Sequence, residues 1–214
     1  MKKKLLLVGA AAAALTLAAP AMASAAPPYT VAVGGSTAAG NHAFTATAVG
    51  GITFSVPLNT MVCTSAGASG SIHSGTGKSG LAPDHLATIS STTWSGCTEQ
   101  FGTPLTVTHS GAWKLETNDT SVTAAATDQV DGWISGISAR VTDSTGLCDF
   151  TVTGSADGHF DEATQRLVVD ETGDGSLSVT AVVSDCLGSI SVGDPASFNG
   201  TYNVSVPNGA VNVS

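Results

Sequence analysis

The sequence has few charged residues, few aromatic residues and, after its first 25 residues, no helical pattern. Charged residues make up 11% and aromatic residues 5% of the 214 positions. Past residue 25, no segment repeats apolar residues at the spacing of an amphipathic helix. Basic residues are the rarest group, because only Lys78, Lys114, Arg140 and Arg166 stand against sixteen acidic residues there. Nucleic acid and anionic membrane surfaces attract basic patches, so this composition argues against both as partners.

Common motifs of hydrolases, nucleotide sites and metal sites are also missing. The chain contains no G-x-S-x-G, H-x-H or H-E-x-x-H sequence. Residues 75–79 end like a phosphate-binding loop, but Ile72 stands where the first glycine belongs. The four cysteines are at least 34 positions apart, whereas zinc sites use closely spaced pairs. We therefore assign no catalytic residue and no zinc ligand from the sequence.

The N-terminal region has the three-part layout of a secretory signal peptide. Lysines at positions 2–4 precede an apolar run over residues 5–19, and Ala23-Ser24-Ala25 then provides an A-x-A cleavage site. The apolar run is shorter than the roughly 20 residues of a membrane-spanning helix, and no later segment approaches that length. We expect residues 1–25 to be removed and the mature chain to be secreted, extracellular or loosely envelope-associated, without a membrane span.

The mature chain alternates apolar residues with Thr or Ser, the period-two pattern of half-buried β-strands. Turn clusters rich in Gly, Asp, Asn and Pro separate these segments. The clearest alternating segments are 42–47, 52–56, 105–108, 177–180 and 202–206. We predict one all-β domain over residues 27–214, an antiparallel sandwich or barrel.

A weak internal repeat divides this domain into segments at about 43–118 and 128–206. Two spacings agree between the halves: a Gly-Ile pair lies twelve positions before a cysteine, and a Gly-x-aromatic triplet begins fourteen positions after the next cysteine. A Gly-Ser pair after the first of these cysteines also has a counterpart, offset by one residue. The matching residues are Gly51 and Gly136, Gly70 and Gly154, and Gly111-x-Trp113 and Gly200-x-Tyr202. The repeat predicts equivalent strands for Trp113 and Tyr202. The second copy holds twelve of the sixteen acids.

Cys63, Cys97, Cys148 and Cys186 are an even number of cysteines in an exported chain, which favours two disulfides. Four cysteines allow three connectivities. If the halves arose by duplication, each copy retains the same internal bridge. The repeat therefore favours the pairs Cys63–Cys97 and Cys148–Cys186.

The leader, the composition and the spacing from cysteine to Gly-x-aromatic together resemble those of uncharacterised secreted β-rich proteins of high-GC Gram-positive bacteria. The composition is rich in Gly, Ala, Ser, Thr and Val and poor in charge. This resemblance implies export and a β-rich fold, and it implies no activity.

Asp170 and Asp174 are weak candidates for a calcium site, the one cofactor that the sequence suggests. Residues 170–175 begin like a calcium loop, in which carboxylates alternate along a tight turn. The third position is Thr172 and the twelfth is Ala181, so the segment is not an EF-hand. A looser site stays open, which Asp157, Asp161 and Glu162 could join if strands 150–160 and 166–171 form a hairpin. The alternative is a solvated acidic surface.

These observations favour a non-catalytic extracellular or cell-envelope protein with a binding or structural role and an unknown partner. One alternative is a secreted hydrolase that uses Asp84, His85 or the acidic half, although adjacent residues of a strand point to opposite faces. The other alternative is an outer-envelope pore, since alternating strands also describe that class.

Overall fold

The computed structural model describes residues 28–214, and these form thirteen β-strands and no helix. The all-β prediction is confirmed. The predicted signal peptide at residues 1–25 lies outside the described residues. The strands are β1 (Tyr29–Val33), β2 (Gly40–Ala48), β3 (Ile52–Val56), β4 (Asn59–Lys78), β5 (Ala87–Glu99), β6 (Pro104–His109), β7 (Trp113–Glu116), β8 (Gln129–Asp143), β9 (Cys148–Asp161), β10 (Arg166–Thr172), β11 (Leu177–Asp185), β12 (Ser197–Ser205) and β13 (Val211–Val213).

Two long antiparallel pairs, β4 with β5 and β8 with β9, form the frame of a single sheet. On one side, β6 and β7 each join β5 to β8. On the other side, β2 and β3 join β4 to β12, and β10 joins β12 to β9. The pairings therefore return to their starting strand, and the sheet is closed. Of the two architectures that the sequence allowed, a closed sheet is the barrel form.

Alternation along much of the sheet places apolar side chains inside the closed sheet and Thr or Ser outside. In β9, for example, Phe150, Val152 and Ala156 are buried, whereas Thr151 and Thr153 are partly exposed. Successive strand residues point to opposite faces, so this pattern fixes which face is the core. Among residues 28–214, no helix is long and apolar enough to cross a membrane.

The disulfides pair as the repeat predicted, Cys63 with Cys97 and Cys148 with Cys186. Cys63 and Cys97 face each other directly across β4 and β5. Cys148 opens β9 and faces Asp185, the last residue of β11, so Cys186 follows immediately. Each bridge thus joins two neighbouring antiparallel strands within one half. These two bridges indicate an oxidising, extracellular environment.

The aromatic residues of the repeat do not occupy equivalent strands. Trp113 lies in β7, which pairs with β5 and β8, whereas Tyr202 lies in β12, which pairs with β10, β2 and β3. Both side chains are buried, but their neighbours differ because the short strands β6 and β7 come next after Cys97, whereas the long strand β12 comes next after Cys186. The repeat as a whole stays a prediction.

Candidate functional site

Four loops lie together at the end of the closed sheet that carries the disulfides, and we call this region the loop end. It comprises residues 57–58 between β3 and β4, 100–103 between β5 and β6, 144–147 between β8 and β9, and 186–196 between β11 and β12. Cys63–Cys97 joins the strands that carry the first two loops, and Cys148–Cys186 joins those that carry the other two.

Hydrogen bonds connect the loops in series. The Gln100 side chain donates from Nε2 to the Leu58 carbonyl oxygen at 3.2 Å. Asn59, next to Leu58, donates from Nδ2 to the Ser189 hydroxyl at 3.2 Å. The backbone N–H of Cys186 donates to the Leu147 carbonyl oxygen at 2.8 Å. The four loops therefore form one continuous surface.

Every loop of this surface exposes at least one large apolar side chain. The exposed fractions are 67% for Leu58, 83% for Phe101, 47% for Leu147, 80% for Leu187 and 65% for Val192. Val183, at the adjoining end of β11, is 75% exposed. Elsewhere among the described residues, only Val49, Val62 and Leu81 are large, apolar and exposed. Exposed apolar groups gathered in one patch mark interaction sites, whereas scattered ones need no explanation.

Local chain geometry fixes the turn that exposes Leu187. Cys186 and Leu187 both have positive φ angles, 53° and 61°, a left-handed conformation that costs a non-glycine residue about 1–2 kcal/mol. The Cys186 disulfide and the hydrogen bond from the Gly188 N–H to Asp185 Oδ1, at 2.9 Å, hold this turn. Backbone strain kept at a protruding apolar residue is typical of functional surfaces.

Glu99 organises the turn that presents Phe101. Its Oε1 accepts hydrogen bonds from the Phe101 N–H at 3.2 Å and the Thr103 hydroxyl at 2.8 Å. Glu99 is buried, so this turn is fixed by a carboxylate inside the loop rather than by solvent contacts. The apolar ring is therefore displayed on a defined support.

Acidic side chains border the loop end at two of its loops, 144–147 and 186–196. Asp143 accepts from the Cys148 N–H at 3.1 Å, and Asp194 accepts from the Ser191 N–H at 2.7 Å, so both carboxylates belong to the loops. Arg140, in the strand β8 that leads into the loop at 144–147, is paired with Asp149 at 2.6 Å. The loop end thus combines an apolar surface with an acidic border.

The predicted hairpin that supports the calcium hypothesis is present, because β9 pairs with β10. Asp161 lies at its turn, where its Oδ1 accepts from the Thr164 N–H at 2.9 Å. Asp170 and Asp174 lie at the opposite end of β10, so Asp161 and Glu162 cannot join them. Among residues 28–214, no three His, Cys, Asp or Glu side chains are arranged to hold a metal ion.

Asp157 does lie near the two calcium candidates. Burial raises the pKa of Asp157, and the charges of Glu171, Asp174 and Asp170 raise it further. Glu171 is buried and accepts hydrogen bonds from the backbone N–H groups of Asp157 and Gly173, at 3.2 and 2.9 Å. Asp174 accepts from the Ser176 N–H at 2.8 Å. These oxygens have protein partners, and calcium binding stays a prediction.

No hydrogen bond joins Asp84 to His85. Asp84 pairs with Lys78 Nζ at 3.0 Å and accepts from the Ser79 N–H at 3.1 Å. His85 instead contacts the Thr88 hydroxyl through Nε2 at 2.7 Å. Within residues 28–214 no histidine is hydrogen-bonded to a carboxylate, so the acid–base pair considered from the sequence is not formed.

Burial of all four glutamates is a feature that the sequence reasoning missed. Glu116 accepts from the Ala82 N–H at 2.9 Å and from Trp133 Nε1 at 3.0 Å, and Glu162 accepts from Asn212 Nδ2 at 2.7 Å. Like Glu99 and Glu171, they tie loops or terminal strands to the sheet. The available signal for these buried positions was that the acidic residues in turns are mostly Asp and seldom Glu.

The interior holds two apolar cavities of about 90 and 70 Å³. Ile134 lines both of them, and Ala156 lines the larger one.

Comparison with protein families, with curated proteins and with solved structures finds no match.

Proposed function

We propose that this protein is an extracellular binding protein that attaches through its loop end to a lipid surface without net charge at the cell envelope. The observation that carries the proposal is that each of the four disulfide-anchored loops exposes a large apolar side chain. Burying such a side chain fully is worth about 1.5–3 kcal/mol. Five of them on one surface provide enough apolar area for reversible attachment.

The shape of the loop end favours a lipid surface over a rigid partner. Leu58, Phe101 and Leu187 sit on separate turns rather than in a groove. A fluid lipid interface can surround side chains that project from neighbouring turns of one surface, and interfacial binding scales with the apolar area buried. A protein partner would need a pocket for each tip.

The acidic border selects among lipid surfaces and argues against self-association. Asp143, Asp185 and Asp194 lie beside the apolar tips, and Arg140 is already paired. An anionic bilayer attracts basic segments and repels acidic ones. A second copy would bring the same acidic border against the first. Zwitterionic or uncharged lipid headgroups avoid this repulsion.

Flotation with phosphatidylcholine vesicles tests the proposal on the full mature chain. The loop-end variant replaces Phe101 and Leu187 with Ser. The matched control replaces Val49 and Leu81 with Ser, since both are exposed away from the loop end. We expect the loop-end variant to partition at least about tenfold more weakly than wild type, since 1.4 kcal/mol is a factor of ten. The control variant should partition like wild type.

Three results would contradict the proposal. If the wild-type protein does not float with phosphatidylcholine vesicles, the lipid-attachment hypothesis is wrong. Equal flotation of the loop-end and control variants removes the assignment to the loop end. Self-association that is lost in the loop-end variant, measured by sedimentation velocity without vesicles, identifies a second copy as the occupant.

A further inference from the structure

A threonine, two histidines and an asparagine form a connected polar cluster on the outer face of β2, β4 and β5, away from the loop end. His73 in β4 contacts Asn41 Oδ1 through Nδ1 at 2.7 Å and the Thr88 hydroxyl through Nε2 at 3.0 Å. His85 contacts the same hydroxyl through Nε2 at 2.7 Å. Two imidazole rings therefore converge on one hydroxyl oxygen.

The hydrogen-bond partners determine which atoms of this cluster carry the protons. Asn41 Oδ1 can only accept, so His73 carries its proton on Nδ1 and presents a bare Nε2. Thr88 then donates its hydroxyl proton to that nitrogen. A hydroxyl has one proton, so His85 must donate from Nε2 to Thr88 Oγ1. One imidazole is placed to remove the proton, and the other is placed to stabilise the oxygen that remains.

Local electrostatics keep His73 able to accept a proton near neutral pH. Burial lowers the pKa of His73, and the nearby His85 and Lys78 lower it further, while Asp84 opposes them. A neutral imidazole is the form that acts as a base.

His85 is also biased towards its neutral form. Burial lowers the pKa of His85, and Lys114 lowers it further, while Glu116 and Asp84 raise it.

Lys114 faces Thr88 directly across β5 and β7. Directly paired residues share a face of the sheet, so Lys114 lies on the same face as Thr88. Thr88 is partly exposed, so it lies at the protein surface and not in the core.

We propose that Thr88 is a nucleophile that accepts an acyl group from an activated carboxylic ester, with His73 as its base and Asn41 as the residue that orients His73. A hydroxyl within 2.6–3.2 Å of a base that a third group orients is the signature of an activated nucleophile. Thr88 Oγ1 attacks the carbonyl carbon and its proton passes to His73 Nε2. The tetrahedral intermediate expels the alcohol or phenol oxygen, which takes that proton, and an ester on Thr88 remains.

Reaction with p-nitrophenyl acetate tests this proposal on the mature protein. We expect release of p-nitrophenol and an acetyl group on Thr88, located by peptide mass spectrometry. Thr88→Val should abolish the Thr88 adduct and Thr88→Ser should retain it. His73→Gln should slow acetylation of Thr88 about a hundredfold or more, the usual contribution of a general base.

The matched control is Thr92→Val, because Thr92 lies on the same strand and contacts His109 Nδ1 at a longer 3.3 Å. This variant should acetylate Thr88 at the wild-type rate. The rate should also fall on acidification, because a protonated His73 cannot act as a base. The pKa of His73 is lowered from its ordinary 6.5, so the fall should occur below pH 6.5. Circular dichroism of each variant verifies that the fold is retained.

Several results would overturn the proposal. Acetylation confined to lysines, equal labelling of Thr88 and Thr92, or an unchanged rate in a folded His73→Gln protein would each show that the cluster is only a structural hydrogen-bond network. None of these results bears on lipid attachment, because the cluster and the loop end share no residue.

Discussion

Gly70 in β4 and Gly154 in β9 make the same kind of contact, a close approach to a backbone carbonyl of a neighbouring segment. A Cβ atom on Gly70 would overlap the carbonyl oxygen of Thr88, and one on Gly154 would overlap that of Ser176. In both halves the glycine lets a disulfide-linked neighbouring strand approach, β5 in the first and β11 in the second. The two contacts occur at positions that the sequence had matched, and the repeat itself stays a prediction.

Gly70→Ala and Gly154→Ala should each destabilise the protein by about 1–3 kcal/mol, because backbone carbonyls cannot move aside as a side chain can. Gly154 also has a φ of +137°, which adds strain for alanine. Urea unfolding followed by circular dichroism measures the loss. Gly51→Ala is the control for Gly70, since its nearest neighbour is at 3.5 Å, and Gly175→Ala is the control for Gly154. A loss at Gly70 or Gly154 no larger than at its control would contradict this reading.

The strands and the disulfide pairing could be predicted from the sequence because both depend on short-range pattern. Alternating Thr and apolar residues specify one buried face wherever they occur, as in β9. Two matching cysteine spacings were enough to choose one connectivity of three, and Cys63–Cys97 and Cys148–Cys186 are the pairs observed.

The loop end and the buried glutamates could not be predicted in the same way. Leu58 and Phe101 are 43 positions apart in the chain, and only the closed topology brings their turns together. Glu162 is buried because Asn212 and the Val213 N–H, about 50 residues away, supply its hydrogen bonds. A turn cluster that contains a large apolar residue, such as Phe101-Gly102 or Leu187-Gly188, was the available signal for the loop end.

Replacing Cys63 and Cys97 together with Ser should lower the free energy of unfolding by roughly 3.5–4 kcal/mol, because the bridge closes a loop of about 35 residues in the unfolded chain. The Cys148–Cys186 pair should show a similar loss. Urea unfolding of the two double variants measures both losses. Non-reducing peptide mapping that linked a cysteine of the first half to one of the second would contradict the pairing.

Glu162 should make the protein less stable as the pH rises. Burial is the main reason that its pKa lies above the ordinary 4.5, and the charge of Asp128 adds to it, although the Val213 N–H and Asn212 lower it. The folded state therefore holds this proton at pH values where the unfolded chain has lost it. The resulting stability is fully present below pH 4.5 and is lost as the pH rises through the folded-state pKa.

Comparison of wild type with Glu162→Gln isolates this effect. The difference in unfolding free energy, wild type minus variant, should decrease as the pH rises from 4 to 7 in urea titrations. Asp161→Asn is the matched control with the opposite sign, because the Thr164 N–H lowers the pKa of Asp161. Its contribution should instead be lost as the pH falls below 3.8. A difference for Glu162 that is constant or increases with pH would refute its raised pKa.

Ala156→Val should stabilise the protein, because Ala156 is fully buried and lines the 90 Å³ cavity. Two added methyl groups occupy space that no other side chain fills, and cavity-filling changes commonly contribute about 0.5–2 kcal/mol. Ala46→Val is the matched control, since Ala46 is also buried in the sheet but lines neither cavity. That change should overpack the core and cost about 1–3 kcal/mol. Thermal and urea unfolding of both variants measure the contrast, and a destabilised Ala156→Val protein would mean that the cavity cannot accept the added volume.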